Sequence, residues 1–145
     1  LAERVITRYY PKSKEKDIEI QFTSPEKSIT AHIDPHRVEQ IIMNLLSNAL
    51  RHSPRGETIE VSLDDQDGQL ALIVLDHGEG IPEDEIPLIF DRFYKSDKAR
   101  HKEDGGTGLG LSISQKLAQA HGGSIQARNH PDGGAVFQLN LPRSS

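Results

Sequence analysis

A glycine-rich stretch, residues 104–114, constrains the fold of this chain more than any other part of its sequence. It leads directly into an apolar-periodic segment that runs to His121. Glycine lets a backbone take positive φ and approach a ligand closely, and a helix N-terminus offers unpaired N–H groups with a partial positive charge. The stretch therefore predicts an anion-binding loop, although an isolated glycine pair is equally typical of a linker.

Two common phosphate-binding loops do not fit this stretch. The chain contains no Gly-x-x-x-x-Gly-Lys-Ser/Thr motif. A dinucleotide fingerprint that used Gly108 and Gly110 would need a third glycine at the position of Ile113. The loop is therefore expected to belong to a different nucleotide-binding fold.

The composition predicts one globular domain over residues 1–145. Of the 145 residues, 34% are hydrophobic and 27% are charged, and this length suits a single core. The net charge of −5 argues against a nucleic-acid partner, since such domains usually carry a basic face. A small anionic ligand, held together with a metal ion, fits the composition better.

The chain has no cysteine, which excludes disulfides and thiolate metal sites and fits a reducing cytoplasm. It has no signal peptide and no apolar run of about 18 residues. We expect a cytoplasmic domain, and the start at Leu1 indicates a fragment of a longer protein.

Hydrophobic periodicity predicts three helices and several paired strands. A helix over residues 1–10 is expected to end at Pro11, and Asp34 with Pro35 is expected to start a long helix that ends near Ser53. Grouped hairpins separated by helices favour an α/β fold, an α+β two-layer sandwich with helices on one face of a mixed, largely antiparallel sheet. The predicted strands are residues 18–22, 29–33, 58–63, 69–75, 124–129 and 135–141.

The long helix carries apolar residues at helical spacing over residues 38–50, typical of a face buried in the core. On another face lie Asn44, Asn48, Arg51 and His52. Asparagine is a mediocre helix former, so two of them one turn apart need a reason. Amide oxygens suit a hard metal such as Mg²⁺, and the cations suit phosphates. A solvated helix face is the alternative.

A carboxylate, Asp76, follows an apolar strand and begins the pattern Asp76-x-Gly78-x-Gly80. It could accept a hydrogen bond from the exocyclic amine of adenine, where guanine presents a carbonyl. The glycines would let the base approach the backbone. A simple Asx turn explains the same residues.

Two aromatic residues, Phe90 and Phe93, predict a packing anchor. The segment after them is polar and contains several cations, from Lys95 to Lys102. A charged segment between an anchor and a glycine-rich hinge can close over bound phosphates. We expect such a lid at residues 95–106.

In their order and spacing, these four segments resemble the ATP-binding catalytic domain of sensor histidine kinases, in the superfamily of DNA gyrase, heat-shock chaperones and MutL. The match covers nearly the whole chain. His52 departs from the pattern by replacing an aromatic residue, often tyrosine, and His77 by replacing a common asparagine. The resembling segments are residues 44–52 for the N box, 76–80 for the first G box, 90–93 for the F box and 106–111 for the second G box.

That resemblance implies a Bergerat fold that binds ATP with Mg²⁺. Asp76 would hold the adenine amine, Asn48 the metal ion, and Asn44 with Arg51 the metal–phosphate region, while the backbone of residues 106–110 would cradle the phosphates. The implied catalytic residues are Asn44, Asn48, Arg51 and Lys95, with Asn44 and Asn48 as metal ligands. The implied nucleotide-binding residues are Asn48, His52, Asp76, Gly78, Gly80, Ile81, Gly106, Thr107, Gly108, Leu109 and Gly110.

Asn44 distinguishes among the relatives that this resemblance includes. ATP hydrolases and serine kinases of the superfamily usually carry glutamate here as a base, whereas an amide takes no proton. A histidine acceptor needs no strong base, because an imidazole with an ordinary pKa of about 6.5 is largely neutral near pH 7. The sequence therefore favours phosphoryl transfer to histidine over an ATPase or a serine kinase. The remaining alternative, a degenerate nucleotide-binding regulator, is opposed by the intact motifs.

The acceptor histidine is expected outside this chain. None of its 7 histidines has the acidic neighbour and downstream proline of the family's acceptor helix. The resemblance implies a separate helical dimerisation and phosphoacceptor domain of the same protein, and a response regulator that receives the phosphoryl group. It also implies a monomeric isolated domain in a homodimeric parent, of a family whose members include membrane-anchored sensors.

Overall fold

A computed structural model describes residues 2–24, 33–66, 68–91 and 110–142. None of the helices in these ranges is long and apolar enough to cross a membrane. The helices are α1 (Ala2–Glu15), α2 (Pro35–His52) and α3 (Gly110–Ala120), and a single 3₁₀ turn spans Ile86–Leu88. The strands are β1 (Glu19–Thr23), β2 (Thr58–Gln66), β3 (Gln69–Leu75), β4 (Ser124–Asn129) and β5 (Ala135–Pro142).

The strand order β1-β2-β3-β5-β4 forms one mixed, largely antiparallel sheet. β1 runs parallel to β2, and the other three pairs are antiparallel. Val61, Val74 and Phe137 are cross-strand neighbours and are all buried against the helices, because side chains in register share one face of a sheet. The predicted fold class is confirmed. Of the predicted strand 29–33, residues 29–32 lie outside the described residues.

α2 begins and ends where its sequence predicts. The Asp34 side chain accepts hydrogen bonds from the backbone N–H groups of His36 at 3.1 Å and Arg37 at 3.4 Å, which satisfies donors that the helix leaves unpaired. At the other end, the backbone N–H and the hydroxyl of Ser53 both donate to Ala49 O. These caps define the helix that carries the candidate N box.

α1 shows that the predicted helix end at Pro11 was wrong, because the helix continues through the proline to Glu15. An interior proline costs about 3 kcal/mol in an isolated helix. Here α1 is anchored on both sides of Pro11. The Tyr9 hydroxyl donates to Met43 O of α2 at 3.1 Å, and Ser13 is buried. Packing against α2 therefore outweighs the local penalty.

α3 begins at Gly110, within the glycine-rich stretch 104–114, and one of its side chains is fixed to strand β4. Gln115 Nε2 donates to Ile125 O, and Gln115 Oε1 accepts from the Ile125 N–H, both at 2.9 Å. These backbone groups of β4 face away from β5. A side chain of α3 thus pairs them and holds β4 in place.

Candidate nucleotide-binding site

Asp76 lies just after β3 and is only 2% exposed. Its backbone N–H donates to Ala135 O at 3.0 Å, and its Oδ1 accepts from the N–H groups of Gly78 at 2.9 Å and Ala135 at 3.3 Å. The Asx turn that the sequence left as an alternative is therefore present, and it uses one carboxylate oxygen. No residue within the described ranges donates to Oδ2. The carboxylate keeps an acceptor for an N–H donor such as the adenine amine.

Gly78 and Gly80 let the loop after Asp76 pack closely against two other elements. A Cβ at Gly78 would lie 2.3 Å from His52 O, at the end of α2. Gly80 has a φ of +83°, and a Cβ there would lie 2.8 Å from Asn129 Oδ1. Both distances are shorter than real Cβ contacts, so larger residues would push the loop away from α2 and β4.

Asn129 is a residue of the site that the sequence reasoning missed. Its Oδ1 accepts from the Ile81 N–H, and its Nδ2 donates to Ile81 O, both at 2.7 Å. The two residues are 48 positions apart, and an amide at the end of a predicted strand was the only available signal. This pairing fixes the backbone of Ile81, which the sequence predicts to bind nucleotide.

Gly134 is a second missed residue, since the sequence predicted only a turn there. It has a φ of +95°, and a Cβ would lie 1.9 Å from Asp76 O. The next residue, Ala135, makes the backbone hydrogen bonds to Asp76 given above. The glycine pair of the turn was the available signal. The start of β5 therefore lies directly against Asp76 and holds its carboxylate in position.

Asn44 joins α2 to the first turns of α3. Its Nδ2 donates to Gly110 O at 3.2 Å and to Ser114 Oγ at 2.9 Å. The structure thus brings together two predicted site residues, Asn44 and Gly110, that are 66 positions apart. Because the amide nitrogen makes both bonds, the amide oxygen is left for a ligand.

Asn48 is only 6% exposed, which argues against the solvated helix face that the sequence left as an alternative. α2 packs against α1, α3 and the sheet, so more of its circumference is covered than its apolar stripe indicates. The Asn48 side chain forms no hydrogen bond with any residue that the structure describes. No side-chain N or O atom of the described residues is both fully buried and unpaired, so the amide of Asn48 reaches the surface, and an amide oxygen is a normal ligand for Mg²⁺. Asn48 therefore fits the metal ion that the resemblance implies.

Arg51 and His52 lie exposed in the last turn of α2. Arg51 has no acidic partner in the part of the chain that the structure describes, so its charge is available to phosphates. The carbonyl of His52 faces Gly78, as described above. His77 Nε2 lies 3.3 Å from Glu60 Oε2 on β2. Of the two histidines that depart from the family pattern, His77 thus lies within the loop after Asp76, and His52 lies against it.

The other predicted site residues lie outside the described residues, and their roles stay predictions. Of the predicted packing anchor, Phe90 packs partly buried against the core beside the buried Ile89, and Phe93 is not among the described residues. The undescribed positions are Lys95, Gly106, Thr107, Gly108 and Leu109, with the whole predicted lid 95–106.

Known families and proteins resemble this chain along most of its length. A family model described as histidine kinase-, DNA gyrase B-, and HSP90-like ATPase matches residues 33–145. The signal transduction histidine-protein kinase AfsQ2 of Streptomyces coelicolor is 47% identical over 118 residues, which cover 81% of this chain and 22% of AfsQ2. The chain spans about a fifth of the length of the curated relatives that it matches.

Two solved structures extend the likeness to the fold. The mycobacterial sensor histidine kinase MprB matches with a TM-score of 0.87 at 29% identity, covering 98% of this chain and 93% of that one. The histidine kinase ThkA, in complex with the response regulator protein TrrA, matches with a TM-score of 0.81 at 26% identity, covering 98% of this chain and 39% of that one. The Bergerat fold implied by the sequence motifs is thus shared with histidine kinases.

Proposed function

This chain belongs to the histidine kinase-, DNA gyrase B-, and HSP90-like ATPase family, and on that premise we propose that it is the ATP-binding catalytic domain of a sensor histidine kinase. It binds Mg²⁺-ATP and supplies the γ-phosphoryl group to a histidine on a separate helical domain. The observation that carries the proposal is the hydrogen bonding of the Asp76 carboxylate. Its buried carboxylate is held by backbone N–H groups through one oxygen and keeps the other for a ligand.

The adenine side of the proposed site is the loop from Asp76 to Ile81. Asp76 Oδ2 accepts the exocyclic amine, while a carbonyl in the same place would meet a negative charge. Gly78 and Gly80 let this loop lie closely against α2 and β4, which sets the position of the backbone that the base meets. This arrangement selects adenine over guanine.

The phosphate side of the proposed site is formed by α2 and the start of α3. Asn48 and Asn44 offer amide oxygens as ligands for Mg²⁺, and Arg51 offers a cation to the phosphates. Bound Mg²⁺ supplies charge neutralisation on the transferred phosphoryl group. We also assign Lys95, the residues 106–109 and the lid 95–106 to this side, on the sequence motifs alone. Gly110 joins them at the start of α3.

The transfer itself exchanges one bond for another. An imidazole nitrogen of the acceptor forms a bond to the γ-phosphorus as the bond from that phosphorus to the leaving oxygen of ADP breaks. Such reactions depend mainly on positioning and on charge neutralisation. Asn44 takes no proton and instead donates to Gly110 and Ser114, which supports an imidazole acceptor rather than a hydroxyl or water that needs a base.

The proposal extends to the longer protein that contains this domain. Residues 1–145 form a single cytoplasmic domain of that protein, which dimerises through its helical phosphoacceptor domain. The phosphoryl group then passes to a response regulator. The complex of the relative ThkA with the response regulator protein TrrA supports this last step.

Phosphoryl transfer in trans tests the proposal. The chain is incubated with γ-labelled ATP, with and without the acceptor domain of its own protein. We expect acid-labile label on the acceptor domain and none on this chain alone. Stable label on this chain in the absence of the acceptor domain, or no binding of ATP, would overturn the proposal.

A further inference from the structure

We infer that Asn129 is a positioning residue for base recognition, because it holds the backbone of Ile81 and thereby fixes the loop from which Asp76 selects adenine. This inference rests on the proposed function, since it takes that loop to be the base-binding surface. Asn129 itself need not contact the nucleotide. Its effect is exerted through Ile81 and Asp76.

The pairing between Asn129 and Ile81 uses both polar groups of the amide. One oxygen accepts and one nitrogen donates, each at 2.7 Å, to the N–H and the C=O of the same residue. An asparagine side chain in this arrangement acts like a neighbouring strand. It fixes both the position and the orientation of the Ile81 backbone, because any rotation breaks at least one of the two bonds.

The two ends of the Asp76 loop are held by neighbouring residues of one hairpin. Asn129 and Ala135 are register partners across β4 and β5. Ala135 holds Asp76 through its backbone N–H and C=O, and Asn129 holds Ile81. The distance between the two ends of the loop is therefore set by a strand pair.

The loop between these ends contains Gly78 and Gly80, which add conformational freedom. It needs restraint from outside to present one shape to a ligand, because free loops lose binding energy when they are ordered. Gly80 lies against Asn129 so closely that a Cβ would come within 2.8 Å of Oδ1. Asn129 thus restrains the end of the loop at Gly80 and Ile81, whereas Ala135 restrains its start at Asp76.

Gln115 of α3 offers a matched control, because its side chain pairs with a residue of the same strand, β4. It pairs with both backbone groups of Ile125 at 2.9 Å, by the same two bonds that Asn129 makes to Ile81. Ile125 lies near the opposite end of β4 and is not part of the Asp76 loop. Gln115→Ala therefore removes the same number of hydrogen bonds without releasing that loop.

Calorimetric titration of the chain and its variants with ATP and GTP tests the inference. We expect Asn129→Ala to weaken ATP binding about tenfold, a loss of the size that two hydrogen bonds can produce. The preference for ATP over GTP is expected to fall by a similar factor, because the adenine contact contributes only to ATP binding. Gln115→Ala is expected to keep both the ATP affinity and the preference while it loses stability to urea.

Asn129→Asp separates positioning from simple space filling. The aspartate side chain has the same size as asparagine. Near neutral pH, however, an oxygen replaces the nitrogen that donates to Ile81 O, so this hydrogen bond is lost. We expect Asn129→Asp to bind ATP as weakly as Asn129→Ala, whereas a space-filling role predicts binding like that of the unmutated chain. This variant also decides the question if Asn129→Ala does not fold.

The outcomes separate the inference from the function on which it rests. Equal binding of ATP and GTP by the unmutated chain, or an unchanged preference in Asp76→Ala, would overturn the proposed function. Suppose instead that the unmutated chain prefers ATP and that Asp76→Ala loses this preference. Unchanged ATP affinity and an unchanged preference for ATP over GTP in the Asn129 variants would then overturn the inference alone. An equal loss of ATP affinity in Gln115→Ala would do the same, since it would show a general effect of destabilising β4.

Discussion

Asn44 and Ser114 form a hydrogen bond across the interface of α2 and α3, in which Asn44 Nδ2 donates to Ser114 Oγ at 2.9 Å and Ser114 is 0% exposed. The same nitrogen donates to Gly110 O. Gly110 is the last residue of the segment 106–110 that is predicted to cradle the phosphates. One side chain therefore fixes the start of α3 relative to the helix that carries the proposed metal ligands.

Asn44→Asp tests this link. The carboxylate keeps the size of the side chain but can no longer donate to Gly110 O, and we expect the free energy of unfolding to fall by about 1–2 kcal/mol. Urea unfolding measures the change, and ATP affinity is expected to fall with it. Gln40→Ala, on the exposed side of α2, is the control and is expected to stay within about 0.5 kcal/mol. An unchanged urea midpoint for Asn44→Asp would contradict the link.

Asp76→Asn is expected to change the base preference of the site. The amide oxygen can still accept from Gly78 and Ala135, but an NH₂ group replaces the oxygen proposed to accept the adenine amine. We expect ATP affinity to fall by about tenfold or more and GTP affinity to hold or rise, because a donor now faces the guanine carbonyl. Calorimetry with both nucleotides measures this, with the exposed Glu57→Gln as a control for lost charge. A retained ATP preference would exclude Asp76 from base recognition.

Gly134→Ala and Gly133→Ala form a matched pair. Both glycines have positive φ, +95° and +102°, so both substitutions strain the backbone by about 1–2 kcal/mol. A Cβ at Gly134 would also lie 1.9 Å from Asp76 O, whereas a Cβ at Gly133 has nothing within 4 Å. We expect Gly134→Ala to lose at least about 2 kcal/mol more than Gly133→Ala in urea unfolding, and to weaken ATP binding. Equal losses would show that β5 can move away from Asp76.

Much of the fold and several residues of the candidate site could be predicted because their signals are local. Asp34 and Pro35 mark the start of α2 in the sequence itself. Asp76 directly follows an apolar segment, so its position at the end of a strand could also be predicted. The spacing of Asn44 and Asn48 also puts them on one helix without knowledge of the rest of the chain.

Contacts between distant segments could not be predicted in this way. No residue near Asn129 in the sequence indicates that its side chain pairs with Ile81. Likewise, no residue near Gly134 indicates that it lies against Asp76. The same reason explains the error at Pro11. The prediction used the local rule that proline ends a helix. In the structure, contacts between α1 and α2, which is a separate part of the chain, stabilise α1 beyond Pro11.

Asn48→Ala is expected to separate function from folding. The side chain makes no hydrogen bond with the described residues, so we expect the free energy of unfolding to change by no more than about 1 kcal/mol. Mg²⁺-dependent ATP binding and phosphoryl transfer in trans are expected to be lost, because a proposed metal ligand is removed. Ser47→Ala is the matched control: its hydroxyl is 3.0 Å from the Tyr9 hydroxyl, and its loss is expected to reduce stability while transfer continues. Full transfer by Asn48→Ala would contradict the metal-ligand role, and a loss of transfer that merely follows a large loss of stability would make Asn48 a structural residue instead.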